Sequence, residues 1–174
     1  AASSGGRQLQ TILATKGDKF DDDKGWDYIG KLLPNCFSTT SSKDVYNLVI
    51  NGEYVVGLTW EDPAANYVKE GAAVEVVFPK EGAIFPGESV QILKDCKHPE
   101  NAKKFVDYML SEKIQNAVGS NLTVRPLRKD AKLADYMTPQ SEIKLFDSYD
   151  EGWVAEHKTE ITNLFSEHME TSMD

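Results

Sequence analysis

Cysteine, histidine and long apolar runs are all scarce in this chain. Its two cysteines, Cys36 and Cys96, stand apart, without the close spacing of a thiolate metal site. One bridge in an exported protein and two buried free thiols both fit them, and the second is the plainer expectation. The three histidines, His98, His157 and His168, lack the i, i+4 or carboxylate setting of a metal centre, so surface or packing roles are expected. No apolar run is long enough to cross a bilayer as a helix. The nucleophile-elbow, Walker and dinucleotide glycine patterns are missing, and nothing arranges Ser, His and Asp as a triad. Catalysis, a cofactor and a resident metal therefore have no support in the sequence. The first residues, Ala1-Ala2-Ser3, hold neither an initiator Met nor a signal peptide, as expected of a mature or trimmed product.

Basic charge is also in short supply. Lys and Arg number 19 against 28 Asp and Glu, a net charge of -9. Phosphate-backbone binding is driven by Lys and Arg, so nucleic acid is excluded as a partner. A small anion is not excluded, because local backbone N–H groups outweigh the global charge over a few ångströms. A hydrophobic share of 40% and 27% charged residues fit a globular protein rather than a disordered one. The 174 residues suffice for one substantial domain or a compact pair.

What is present is an alternation of helices and strands. Leu9, Ile12 and Leu13 share a face at helical spacing, behind the cap-like Ser3-Ser4-Gly5-Gly6. Trp26, Ile29, Gly30 and Leu33 predict a second helix that stops near Pro34. A hydroxyl cluster, residues 38–42, leads into a helix over 43–50 that Asn51-Gly52 ends. Residues 54–60, YVVGLTW, are apolar on both faces and read as a strand in a sheet covered on both sides. A helix over 64–69 with Pro63 in its first turn, closed by Gly71, and strands over 74–78 and 89–93 follow. Ala102, Phe105, Val106, Met109 and Leu110 form an apolar helical stripe behind Pro99. Residues 121–124 read as a short strand or extended segment, and a last helix is expected around 154–168.

Several segments in this order resemble one family. Asn51-Gly52-Glu53 before a strand, Phe78-Pro79-Lys80-Glu81-Gly82, the helix pair from His98 through Gln115, and Val124-Arg125-Pro126 are similar to the periplasmic solute-binding proteins of ABC importers. Within that family the chain looks most like the type II branch with ferric-ion, sugar-phosphate and phosphonate binders. The resemblance implies an α/β fold, the second lobe of a type II periplasmic-binding-protein fold, with a mixed sheet flanked by helices. It implies residues 1–82 as the ligand-binding part of the second lobe and 83–125 as the segment that returns to the first lobe. Residues 126–174 are then a C-terminal helical part packed on the second lobe. Relatives are about twice this length by the same resemblance, so a first lobe is expected to be missing.

Candidate ligand groups cluster at helix starts and strand ends. Ser3, Ser4 and Gly5 open a helix whose unpaired N–H groups and dipole favour an anion, with ordinary capping as the alternative. Ser41 and Ser42 repeat that chemistry, again with capping as an equal explanation. Glu61 and Asp62 at a strand end are acceptors for ligand hydroxyls or an ammonium group, and Trp60 offers a face for a sugar. Asp62 is equally a cap for its helix. Glu81 is a second acceptor or a solvated loop acid, and Arg125 an anion ligand or a surface ion pair. In iron-binding relatives, the resemblance implies, two adjacent tyrosines stand where this chain has Asp62 and Pro63, which turns the reading away from a ferric site.

These residues lead to an expected function. The chain is a solute-binding fragment that captures a small anionic, phosphorylated ligand such as a sugar phosphate, and delivers it to an ABC permease in the membrane. It is expected in the periplasm or at the cell surface, exported, with a lipoprotein form as a variant. The alternatives are a ferric-ion or polyamine receptor and, from other classes, a non-transport interaction module or an enzyme on the same fold.

Overall fold

The computed structural model describes residues 3–17, 23–85, 89–147 and 149–172. The chain divides into two compact units, Ala1–Trp60 with Val77–Phe85 and Ile143–Asp174, and Glu61–Val76 with Pro86–Glu142.

Among its described residues the first unit is built on four α-helices: α1 (Ser3–Lys16), α2 (Asp23–Leu32), α3 (Ser42–Ile50) and α7 (Glu151–Ser172). The helical spacing of Leu9, Ile12 and Leu13 turns one face of α1 inward, and Leu13 and Ala14 are buried. Ile29 of α2 and Val154 and Ile161 of α7 complete the same cluster, with Trp26, Trp153 and Phe165 packed against it. Burying a side chain the size of Leu13 or Ile29 is worth roughly 1.5–3 kcal/mol. Pro34 ends α2 as expected, and a single 3-10 turn, Leu33–Asn35, follows. The α3 helix ends at Gly52, whose φ of 76° suits glycine and lets Glu53 N–H reach the Leu48 carbonyl at 2.9 Å.

The second unit carries α4 (Glu61–Lys69), α5 (Pro99–Met109), α6 (Glu112–Asn121) and a loop over 122–142. Gln115 is its polar tie. The buried side-chain amide donates to the Met109 carbonyl at 2.9 Å and accepts from Leu127 N–H at 2.6 Å. The Ala134 N–H donates to the Gly119 carbonyl at 2.8 Å, bringing the loop against α6.

The structure departs from the sequence reading in several places. Residues 54–60, 74–78 and 89–93 form no ladder among the described residues, where the pairing is one isolated parallel bridge between Ala83 and Leu145. Apolar residues on both faces specify a strand only when neighbours lie on each side of it. Among the described residues those neighbours are lacking: Val55 is 95% exposed, Val77 77% and Leu93 80%. The α5 stripe is similarly uncovered, with Phe105 58% exposed. Asn121 closes α6 instead of opening an extended segment. Cys36 and Cys96 are free, but Cys36 is exposed rather than buried.

Candidate functional site

The expected ligand groups fall in both units. In the first, Ser3, Ser4 and Gly5 form the opening turn of α1 rather than a lead ahead of it. Ser41 is the N-cap of α3: its Oγ accepts from Lys43 N–H at 3.2 Å, with extended backbone at φ -125° and ψ 133°. Ser42 is the first residue inside that helix and is half-buried. The Trp60 ring, 52% exposed, follows Thr59, whose carbonyl accepts from Gln8 Nε2 of α1 at 2.8 Å. That bond fixes the end of segment 54–60 against α1.

Glu81 is held from the same helix. Lys16 Nζ meets its Oε1 at 2.5 Å and sits 4.9 Å from the centre of the Tyr28 ring. The hydrogen bond from Lys16 holds the Glu81 carboxyl below its ordinary range, and the same bond raises Lys16. Roughly a third of each side chain remains open to water, with values of 31% and 30%.

In the second unit, Glu61 and Asp62 occupy the first turn of α4, where acidic residues complement the helix dipole. Each has a partner in the loop after α6. Arg125 grips Glu61 with both prongs, Nε to Oε2 at 2.7 Å and Nη2 to Oε1 at 2.6 Å, and Nη2 also donates to the Thr138 carbonyl at 2.8 Å. Only 6% of the Arg125 side chain and 18% of the Glu61 side chain are exposed. The Thr123 hydroxyl donates to Asp62 Oδ1. Asp62 therefore bonds to a distant loop, and the helix begins one residue before it.

Arg125, by sequence an anion ligand or a surface ion pair, forms a nearly buried ion pair with Glu61. Lys16, Gln8 and Thr123 went unrecognised as supports. Thr123 stands two residues from Arg125 as Asp62 stands beside Glu61, but no local pattern announces a pairing across about sixty residues. Among the described residues no group of three or more His, Cys, Asp or Glu is placed to hold a metal ion.

A family model for bacterial extracellular solute-binding proteins matches residues 2–144. The chain belongs to that family. Curated relatives include spermidine/putrescine-binding periplasmic protein 1 of Haemophilus influenzae, 37% identical over 93 residues, which are 51% of this chain and 26% of that protein. The spermidine/putrescine-binding periplasmic protein of Escherichia coli is 28% identical over 105 residues, 60% of this chain and 30% of the relative. The matched stretch thus spans less than a third of these relatives. Among solved structures, the periplasmic binding protein AfuA of Actinobacillus pleuropneumoniae, with exogenous fructose-6-phosphate bound, superposes with a TM-score of 0.71 at 24% identity. The superposition covers 96% of this chain and 52% of AfuA, and gives this family member the periplasmic-binding-protein fold. Family and structural neighbour alike are binding proteins.

Proposed function

We propose that this solute-binding protein supplies the second-lobe wall of a cleft that takes a small anionic, phosphorylated solute, in the manner of a sugar phosphate. The observation that carries the reading, taken within each unit by itself, is that every candidate carboxylate already has a hydrogen-bond partner. Glu61 is paired with Arg125, Glu81 with Lys16, and Asp62 accepts from Thr123. An ammonium ligand needs uncompensated negative charge, and Glu61 and Glu81 each already face a cation, whereas the neutral Thr123 hydroxyl leaves the Asp62 charge in place. A hydroxylated ligand needs only spare lone pairs, which a paired carboxylate still offers. The α3 start, with Ser41 and Ser42, adds N–H and hydroxyl donors for the anion. Within the first unit, Ser3, Ser4 and Gly5 at the α1 start and Trp60 as a stacking face belong to the proposed ligand groups.

By role, residues 1–82 form the ligand wall, 83–125 return toward a first lobe, and 126–174 support the wall. The first lobe, a membrane permease and export from the cytoplasm belong to the same proposal. The relatives' polyamine specificity supports a second reading, in which Trp60 and the acids hold an organic cation. Calorimetry with glucose 6-phosphate, inorganic phosphate, ferric citrate and putrescine separates the two, on this chain and on any longer form that carries a first lobe. Heat from glucose 6-phosphate supports the phosphate reading. Heat from putrescine or iron with none from any phosphate compound overturns it, and turnover of a tested compound reassigns the protein to the enzymes.

A further inference from the structure

The first unit contains a cavity of about 510 Å³ between α2 and α7 that uses none of the residues proposed above. That volume falls inside the roughly 300–1,000 Å³ of small-molecule sites. Its walls are aromatic and held in place. Trp26 of α2 stacks on His168 with ring centres 5.2 Å apart and planes 4° from parallel. Trp153 stacks on His157 at 3.9 Å and 10°. His157 Nδ1 also lies 2.8 Å from the Trp153 carbonyl oxygen, which fixes the second stack one helical turn along α7. Ile161, buried in the core, adds an apolar floor.

With its two histidines neutral, the charge on this cavity has one sign. Asp23, at the start of α2, and Glu160, on α7, line it, and no lysine or arginine does among the described residues. Both acids sit on exposed positions, so they keep their charge at little cost until a ligand arrives. Indole edges and faces set beside carboxylates suit a cation, whose charge is drawn by the ring quadrupole and by the acids together. They disfavour an anion. A metal ion is the wrong cation, because no cluster of three or more metal-ligating side chains exists among the described residues. An apolar body bearing an ammonium group satisfies every wall at once: its hydrocarbon meets Ile161 and the indoles, and its charge meets Asp23 and Glu160.

We propose that this cavity is a binding site for a small organic ammonium compound with an apolar body, separate from the solute wall. The three tryptophans make the site readable one by one, since two line the cavity and the third, Trp60, belongs to the solute wall proposed above. Phenethylammonium is the probe, with 2-phenylethanol as its neutral counterpart and 3-phenylpropanoate as its anionic one, followed through the three indole N–H signals by NMR. Phenethylammonium is expected to shift the Trp26 and Trp153 signals saturably and leave Trp60 in place. It should bind at least about tenfold more tightly than 2-phenylethanol, and the double variant Asp23→Asn, Glu160→Gln should lose about tenfold, with its indole spectrum otherwise kept. Equal affinity for the neutral alcohol, an unchanged affinity in the double variant, a shift confined to Trp60, or no saturable shift each overturns the proposal. Glucose 6-phosphate tests the solute wall independently, because its contact is read at Trp60.

Discussion

Arg125 and Glu61 form a two-pronged ion pair across 64 positions of sequence, with only 6% of the arginine side chain exposed. Removing one member of such a pair leaves the other charge buried without its counter-ion. Glu61→Gln is therefore expected to cost about 3–5 kcal/mol of stability, the range for breaking buried pairs, whereas Arg125→Met with Glu61→Leu should cost much less. Urea unfolding of the single and double variants checks this. A Glu61→Gln protein as stable as the parent would mean that the carboxylate is held for a ligand rather than for the fold.

The Lys16–Glu81 link predicts a broad pH plateau. Glu81 is lowered from 4.5 in the folded protein, so its contribution is complete above that value and fades as pH falls through the depressed folded one. Lys16 is raised from 10.5, so its share is complete below that value and fades as pH climbs through the raised one. The stability difference between the parent and Lys16→Met should be flat from pH 5 to 10 and shrink on either side, as read from urea midpoints. A difference that changed across neutral pH would assign the effect to another group.

Gly119 is a packing hinge for the second unit. A Cβ built there would overlap the Lys132 carbonyl oxygen and lie 3.0 Å from the Pro126 ring. Because the obstacle is backbone, it yields only by moving the 122–142 loop. Gly119→Ala should destabilise by about 1–3 kcal/mol, as overpacking does, even though alanine favours helix. Thermal unfolding followed by circular dichroism tests it, and an unchanged or raised midpoint would show that the loop gives way freely.

The uncovered segment 54–60 predicts self-association. Val55 and Val56, at 95% and 74% exposure, present backbone and apolar side chains that another chain readily pairs with. Light scattering should show mass growing with concentration for the 174-residue chain, and Val55→Lys should hold it closer to a monomer. Equal monomeric mass for both proteins over the micromolar range would remove this segment from suspicion.

Helices were legible in the sequence and their company was not. The spacing of Leu9, Ile12 and Leu13, the Pro34 stop and the Asn51-Gly52 ending are local signals, and each appears in the fold. The apolar alternation of 54–60 states a demand for neighbours without naming them, and the described residues do not meet it. At the site, the acids were found from their position at strand ends. Arg125, Thr123 and Lys16 were not recognised as their partners, because they arrive from far along the chain. The Trp26 and Trp153 cavity was equally hidden, since its two indoles come from helices separated by most of the sequence.

The first unit takes its residues from three stretches of chain, and α7 delivers Val154 and Ile161 to a core that Leu13 and Ile29 open. Its completion therefore waits on α7: a chain in which only α1 and α2 have formed has part of a core, and Val154 and Ile161 must arrive from more than a hundred positions away. Until α7 docks, Leu13 and Ile29 are sticky surface, and the speed of that long-range closure sets how much of the chain folds rather than aggregates.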